Sequence, residues 1–173
     1  MILQRTKFFI ISLLLFFMLS VSAQTVTKGQ LWTAKKIDNT YVLSVNDKAS
    51  LVDALMDFVK QNNIKAGSIT GIGAINKATL RCYNPDTQQY IDSTFKEQME
   101  ISNLTGNIST KDGAPYLHLH ITLGDAHYHA FAGHLLNADI RGAGEFTVIP
   151  LNGTVERTYS SEVGLNFYDF GKE

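Results

Sequence analysis

Three histidines near the middle of the chain have the types and spacing of metal ligands. A single leucine separates His118 from His120. His134 follows in the segment Ala-Gly-His-Leu at residues 132–135. Because side chains alternate between the two faces of a β-strand, His118 and His120 point the same way. The residues that alternate with them are apolar and point into a core: Leu117, Leu119, Ile121 and Leu123. His134 on the next strand would complete a set of three nitrogen ligands.

Three imidazoles suit a divalent metal ion that keeps a coordination position open. Catalytic zinc sites have three protein ligands and leave the fourth position to water or a small ligand, whereas structural sites are closed. Imidazole also binds copper, nickel and iron, so zinc is the default rather than the only candidate. The pattern therefore predicts a metal site, with zinc as its ion, formed by His118, His120 and His134.

The register of the hairpin decides which histidine is the third ligand. If residues 124–128 form the loop, His118 lies opposite His134 across the hairpin. A tighter two-residue turn at Gly124-Asp125 would instead place His129 opposite His120. His127 and His129 lie beside this turn and are interpreted as exposed, with the tighter register as the alternative in which His129 joins the site.

The N-terminus has the pattern of a cleaved secretory signal peptide. Arg5 and Lys7 form a basic start, an almost unbroken apolar run extends over residues 8–19, and Val21-Ser22-Ala23 precedes Gln24. The run is shorter than the ~20 apolar residues that span a bilayer, so cleavage is favoured over a membrane anchor. We expect residues 1–23 to be removed and residues 24–173 to form one exported domain, periplasmic or extracellular, with no stable membrane span.

Composition limits how this domain is stabilised and what it binds. The predicted signal segment holds two basic residues and no acidic one, so the formal net charge falls from −1 to about −3 on cleavage. The one cysteine, Cys82, permits no intramolecular disulfide, so the core, a metal or oligomer contacts must hold the fold. A slightly acidic domain without a basic cluster disfavours nucleic acid as a partner.

The remaining pattern predicts one helix among many antiparallel strands. Residues 50–63 carry apolar side chains at helical spacing, and Ser50-Leu-Val-Asp53 reads as a capping box. The segments that read as strands or turns are 40–45, 68–75 continued by 78–83, 89–95, 99–104, 107–110, 116–123, 129–132 and 144–149, with a tight turn at 111–113. Gly71-Ile72-Gly73 is followed by more strand, which favours a bulge or a close strand approach over a nucleotide-binding loop.

Several of these segments together resemble a known family. Gly-Ser-Ile-Thr-Gly-Ile-Gly-Ala at 67–74, followed by Ala-Thr-Leu at 78–80, is similar to the opening signature of the plants-and-prokaryotes conserved (PPC) domain. Residues 99–108 are similar to its second block, and residues 112–120 with 132–135 to its third. The resemblance extends over roughly residues 43–151. Ala132 stands where many members have the first glycine of Gly-Gly-His.

The resemblance implies an α+β fold with curved antiparallel β-sheets and one main amphipathic helix, assembled as a homotrimer. It also implies a fold similar to that of acetolactate decarboxylase, in which a comparable set of histidines holds zinc. Plant members accompany DNA-binding segments, and prokaryotic members often carry a DNA-binding label. Glu100 and Glu145 lie in the family's blocks and are candidate catalytic groups, as partners of a ligand imidazole or as a general base. Pairing of these carboxylates with a cation such as Arg81 or Arg141 is the alternative.

Three functions are compatible with these observations. The first is an exported, trimeric metal-binding protein with an unidentified ligand, possible ligands including a small carboxylate. The second is a metal-dependent enzyme, resembling a lyase or decarboxylase, that acts on a small oxyacid through carbonyl polarisation. The third, DNA binding, is disfavoured by the charge and by the absence of an Arg-Gly-Arg-Pro hook.

Overall fold

The structure is a computed structural model that describes residues 25–172. The predicted signal peptide, residues 1–23, lies outside the described residues. Within the described range, the single helix is too short and too polar to cross a membrane.

One helix and ten strands make up the described chain. In chain order the elements are β1 (Val26–Lys28), β2 (Trp32–Ile37), β3 (Thr40–Val45), α1 (Leu51–Gln61), β4 (Gly67–Asn84), β5 (Gln89–Phe95), β6 (Met99–Lys111), β7 (Ala114–Gly124), β8 (Ala130–Pro150), β9 (Glu156–Ser160) and β10 (Leu165–Asp169). This content confirms the prediction of a mostly β domain with one helix.

All ten strands belong to one sheet, which bends round on itself. β4 pairs with both β6 and β8, and β7 also pairs with both β6 and β8, so these four strands form a closed ring of antiparallel pairings. β3 pairs with the C-terminal part of β8, and β2 and β1 extend the sheet beyond β3. β5 pairs with the C-terminal part of β4. β9 joins β6 at Thr110 and pairs with β10 in a hairpin near the C-terminus. The long strands thereby bring segments distant in sequence side by side.

The helix begins where the sequence predicts and covers the apolar face of the sheet. The Ser50 hydroxyl accepts the backbone N–H of Asp53, at 3.4 Å, and so caps the first turn. Phe58 is fully buried and its ring packs edge-on against Trp32 and Tyr41, with centroids 5.0 and 5.1 Å away. Such edge-to-face packing is the favoured arrangement of aromatic rings.

Gly71 confirms the prediction of a close strand approach. A Cβ there would lie 2.6 Å from the carbonyl oxygen of Glu145 and would overlap the ring of Phe146. The pairing of β4 with β6 also shifts register between Gly71 and Gly73, which marks a bulge. These glycines shape the curved sheet, and strand rather than helix follows them.

The structure differs from the predicted elements mainly in strand length. The segments predicted at 99–104 and 107–110 form one strand, β6, and those at 129–132 and 144–149 belong to the single strand β8. Glycines and polar residues interrupt the apolar alternation in both, yet ladder hydrogen bonds continue through the irregularities in register. Strands β1 and β2 and the β9–β10 hairpin, residues 156–169, were not predicted. In the hairpin the alternation is short and largely polar.

Candidate metal centre

His118 and His120 lie on β7, and His134 lies on the neighbouring strand β8. His120 is the direct cross-strand partner of His134, and the connecting loop comprises residues 125–129. The predicted pairing of His118 with His134 is therefore wrong by two residues along the strand. Since side chains repeat their face every two residues, the shift leaves all three imidazoles on one face.

The alternation of β7 positions its histidines by burying the residues between them. Leu119, Ile121 and Leu123 are each no more than 2% exposed. On the adjacent strand, Gly106 pairs with Leu119, and a Cβ at this glycine would lie 3.0 Å from the Cα of that leucine. Close packing against β6 and the buried leucines thus holds the imidazoles of His118 and His120 on the opposite face.

The three imidazoles form one compact group. The ring centroids lie 5.2 Å apart for His118 and His120, 5.1 Å for His118 and His134, and 5.5 Å for His120 and His134. One ring nitrogen of each can be chosen so that the three lie within 4.8 Å of one another. Ligand nitrogens of a tetrahedral zinc ion, each about 2.0–2.1 Å from the metal, lie about 3.3 Å apart. Small ring rotations would close the difference, so the donor set fits a divalent metal.

Burial and neighbouring positive charge favour the neutral, ligating form of His134 and His118. Burial lowers the pKa of His134 to about 4, and the nearby charges of His118, His120 and Arg81 act in the same direction. Burial, followed by the charges of His120 and Arg157, also lowers the pKa of His118. At neutral pH both residues therefore present free ring lone pairs, as metal binding requires.

His127 and His129 are exposed and lie apart from this group, as the sequence predicted. The carboxylate of Asp125 accepts the backbone N–H groups of both residues at 2.8 Å, and its other oxygen lies 3.1 Å from Nδ1 of His129. Asp125 thereby organises the five-residue loop and holds the ring of His129 at the surface. The tighter hairpin register, in which His129 joined the site, is excluded by the observed pairing.

The three histidines open into a cleft of ≈ 540 Å³. The other walls of the cleft come from β4, β5, β6, β7 and the β9–β10 hairpin. The residues that line these walls are Arg81, Tyr90, Asn107, Tyr116, Arg157, Leu165, Asn166, Phe167 and Tyr168. Arg81 is the cross-strand partner of His134, and its Nε and Nη2 donate to the two carboxylate oxygens of Asp92 at 2.7 and 2.8 Å. Arg157 and its hairpin were missed at the sequence level, although Tyr116 lies on the predicted histidine face.

Glu100 and Glu145 are exposed and lie in a different cleft. Both line an open surface pocket together with Ile72 and Ala143. Glu100 pairs with Gly124, which is four residues from His120 and so about 13 Å along β7. Among residues 25–172, no side chain hydrogen-bonds to the ring nitrogens of the three ligand candidates. The chain by itself thus does not bring these carboxylates to the histidines, and their predicted catalytic role stays a prediction.

Solved structures of related proteins share this fold. A candidate DNA-binding protein from Bacteroides thetaiotaomicron is 53% identical, with a TM-score of 0.81 over 82% of this chain and 99% of its own. A metal-containing protein from Archaeoglobus fulgidus is 30% identical, with a TM-score of 0.72 over 77% and 94%. A plant- and prokaryote-conserved protein from Pyrococcus horikoshii is 25% identical, with a TM-score of 0.70 over 85% and 100%.

The chain also has structural neighbours of lower similarity. Acetolactate decarboxylase from Bacillus subtilis is among the structural neighbours, at 10% identity and a TM-score of 0.46, with 79% of this chain and 73% of that chain covered. No curated protein matches the chain.

The family assignment follows from the sequence blocks, the fold and a direct family match. The Plants and Prokaryotes Conserved (PCC) domain matches residues 33–157, a range that includes all three histidines of the site. This range is more than half of the chain, and the chain therefore belongs to the Plants and Prokaryotes Conserved domain family.

Proposed function

We propose that the protein binds one divalent metal ion, zinc, through His118, His120 and His134, and leaves a coordination position open to the cleft. The observation that carries this proposal is the convergence of three ring nitrogens within 4.8 Å on one face of the β7–β8 hairpin. The lowered pKa of His134 and His118 supports it, because neutral imidazole is the ligating form. The metal content of the Archaeoglobus fulgidus relative gives independent support.

Metal analysis of variants tests this assignment. The purified wild-type protein should hold about one zinc ion per chain by elemental analysis after exchange into metal-free buffer. Single substitutions of His118, His120 or His134 by alanine should each remove most of the metal. His127→Ala and His129→Ala are the matched controls and should retain it. Retention of zinc by the triple variant at His118, His120 and His134 would overturn the assignment.

A metal-dependent enzyme acting on a small oxyacid is the second candidate function. The open cleft of ≈ 540 Å³ beside the histidines supports it, since a bound metal there would polarise a carbonyl and stabilise developing negative charge. Among the described residues no aspartate or glutamate lines this cleft, so a general base would have to be a tyrosine, a metal-bound water or a group from another copy. Binding without turnover therefore ranks above catalysis.

DNA binding ranks last, although a relative from Bacteroides thetaiotaomicron bears that description. A duplex binder neutralises phosphates with a basic surface. The formal net charge of the whole chain is −1, with lysines and arginines balanced by carboxylates. Retention on an immobilised duplex at about 150 mM salt would restore this candidate.

Export and trimer formation complete the proposed function. We expect cleavage after Ala23, so the mature protein should begin at Gln24 by N-terminal sequencing, and a bulky residue at position 23 should block processing. Assembly as a homotrimer is expected from the family resemblance. It is further supported by exposed aliphatic side chains at Val26, Val42 and Ile72, which line one open cleft of ≈ 780 Å³.

A further inference from the structure

Arg157 is a buried arginine in the wall of the histidine cleft. It is 6% exposed, and its guanidinium lies between two tyrosine rings, 4.8 Å from the centroid of Tyr116 and 4.3 Å from that of Tyr168. Its Nε donates to the hydroxyl of Ser109 at 2.7 Å, and its Nη1 donates to the backbone carbonyl of Asn166 at 3.0 Å. These contacts fix the guanidinium in one orientation.

The charge of Arg157 has no anionic partner within the described part of the chain. Its two hydrogen-bond acceptors are a hydroxyl and a backbone carbonyl, and no carboxylate oxygen of residues 25–172 lies within 4.0 Å of it. Arg81, in the same cleft, is held instead by both oxygens of Asp92. Buried charges in proteins are ordinarily paired, because removing an ion from water is costly. An arginine also carries five N–H donors, of which the bonds described use two.

The position of Arg157 places this charge beside the metal ligands. Tyr116 and His118 lie two residues apart on the same face of β7, a separation of about 7 Å. Because the guanidinium is stacked on Tyr116, it borders the open side of the histidine group. The same cleft is therefore lined by the three candidate metal ligands and by a buried guanidinium without an anionic partner among the described residues.

We infer that this cleft binds a small organic anion with two oxygen-bearing ends, one carboxylate on Arg157 and the other oxygen at the open metal position. The inference rests on the proposed metal site and adds the ligand's chemical class. The β9–β10 hairpin supplies both Arg157 and Tyr168, whose ring stacks on the guanidinium.

Charge and space both favour a small carboxylate. A metal ion with neutral imidazoles and one uncompensated guanidinium attract an anion, while the Asp92 carboxylate already compensates Arg81. A planar guanidinium binds a carboxylate through two parallel hydrogen bonds. A cleft of ≈ 540 Å³ holds a short organic acid but not a polymer.

The test measures succinate and acetate binding to the cobalt-substituted protein by calorimetry and by the visible spectrum of cobalt. In the wild type, succinate should bind at least about tenfold more tightly than acetate, because only succinate reaches both ends of the cleft. Arg157→Gln should lose about tenfold or more in succinate affinity, while its cobalt content and its affinity for azide, which needs only the metal, stay as in the wild type.

Arg141→Gln is the matched control, since it removes the same charge from a surface pair with Asp47 and should change succinate affinity less than about twofold. Equal succinate affinity in the wild type and in Arg157→Gln would overturn the inference. If Arg157→Gln does not fold, equal affinity of the wild type for succinate and acetate would overturn it. Absence of cobalt from the wild type would instead mark failure of the metal assignment. The metal-bound half of the inference would then be refuted, and the Arg157 half would stand only if metal-free wild type binds succinate and Arg157→Gln does not.

Discussion

His120 and His134 are direct cross-strand partners, with ring centroids 5.5 Å apart at the end of the short ladder that joins β7 to β8. That ladder extends only from His120 to Gly124 on β7. Beyond it β7 continues along β6, whereas β8 continues along β4. A metal bound by both residues would therefore clamp the two strands at the point where their pairing ends.

Removal of the metal should lower thermal stability, because an ion that binds only the folded state stabilises it by mass action. With free zinc at about 100 times its dissociation constant, the stabilisation is about 2.7 kcal/mol. The melting temperature of the wild type, followed by circular dichroism, should fall on treatment with a chelator and recover on addition of zinc. His120→Ala should already melt at the lower temperature and should not respond to the chelator.

The matched control for this experiment is His129→Ala, which alters an exposed imidazole of the adjoining loop. It should keep the zinc-dependent increase in melting temperature. An equal response of His120→Ala and the wild type to zinc would contradict the clamp.

The sequence predicted that His118, His120 and His134 share one face of the sheet, but not their register. Leu117, Leu119 and Ile121 alternate with His118 and His120 along the strand. This alternation alone predicts that the two histidines lie on the same face. The register depends on the loop, where Asp125 accepts the N–H groups of His127 and His129 and Tyr128 adopts a positive φ of 64°. A loop closed by a side chain has no strong sequence signature, so the predicted pairing was wrong by two residues.

The helix and the apolar alternation of the strands were sufficient to predict the fold class. The wall of the histidine cleft that the β9–β10 hairpin forms could not be predicted from the sequence. Ser50 and the apolar residues after it predicted the helix to within two residues at either end. Arg157 reads in sequence as a surface cation in a polar segment. Its burial depends on Tyr116 and Tyr168, which are distant from each other in sequence and stack on the guanidinium in a fold where β9 pairs with β6. Such a long-range arrangement has no local sequence pattern.

The stability of the metal-free protein should depend on pH through His134. Its pKa is about 4 in the folded state, mainly because it is buried, compared with about 6.5 for an unperturbed histidine. As the pH falls from about 6.5 to about 4, the unfolded chain takes up a proton that the folded state does not, so the free energy of unfolding decreases in this window. Urea denaturation of the chelator-treated protein at several pH values would measure the slope.

The variant His134→Gln should show a shallower decrease over the same window, since glutamine does not titrate. Identical slopes in wild type and His134→Gln would show that another group is responsible.

Phe58 should be among the most costly core positions to truncate. It is 0% exposed and contacts the rings of Trp32 and Tyr41, so Phe58→Ala should reduce the free energy of unfolding by about 3–5 kcal/mol. Phe170→Ala makes the same chemical change at a side chain that is 83% exposed, and it should stay within about 0.5 kcal/mol of the wild type. Chemical denaturation compares the two, and Phe58→Leu serves if the alanine variant does not fold. A loss below about 1 kcal/mol at position 58 would contradict the packing described for α1.

The oligomeric state should depend on the apolar cleft around Ile72. The side chains of Val26, Val42 and Ile72 are 61%, 49% and 55% exposed although they are aliphatic, and a second copy of the chain would remove them from water. Light scattering of the purified mature protein at micromolar concentration should give a mass near three times that of the chain.

Ile72→Asp places a charge in this contact and should shift the protein to a smaller species, because a buried unpaired carboxylate is strongly unfavourable. Tyr128→Asp introduces the same charge at a loop residue that is 95% exposed and should leave the mass unchanged. A monomeric wild type would refute the trimer, whereas a trimer that persists in Ile72→Asp would place the contact on another surface.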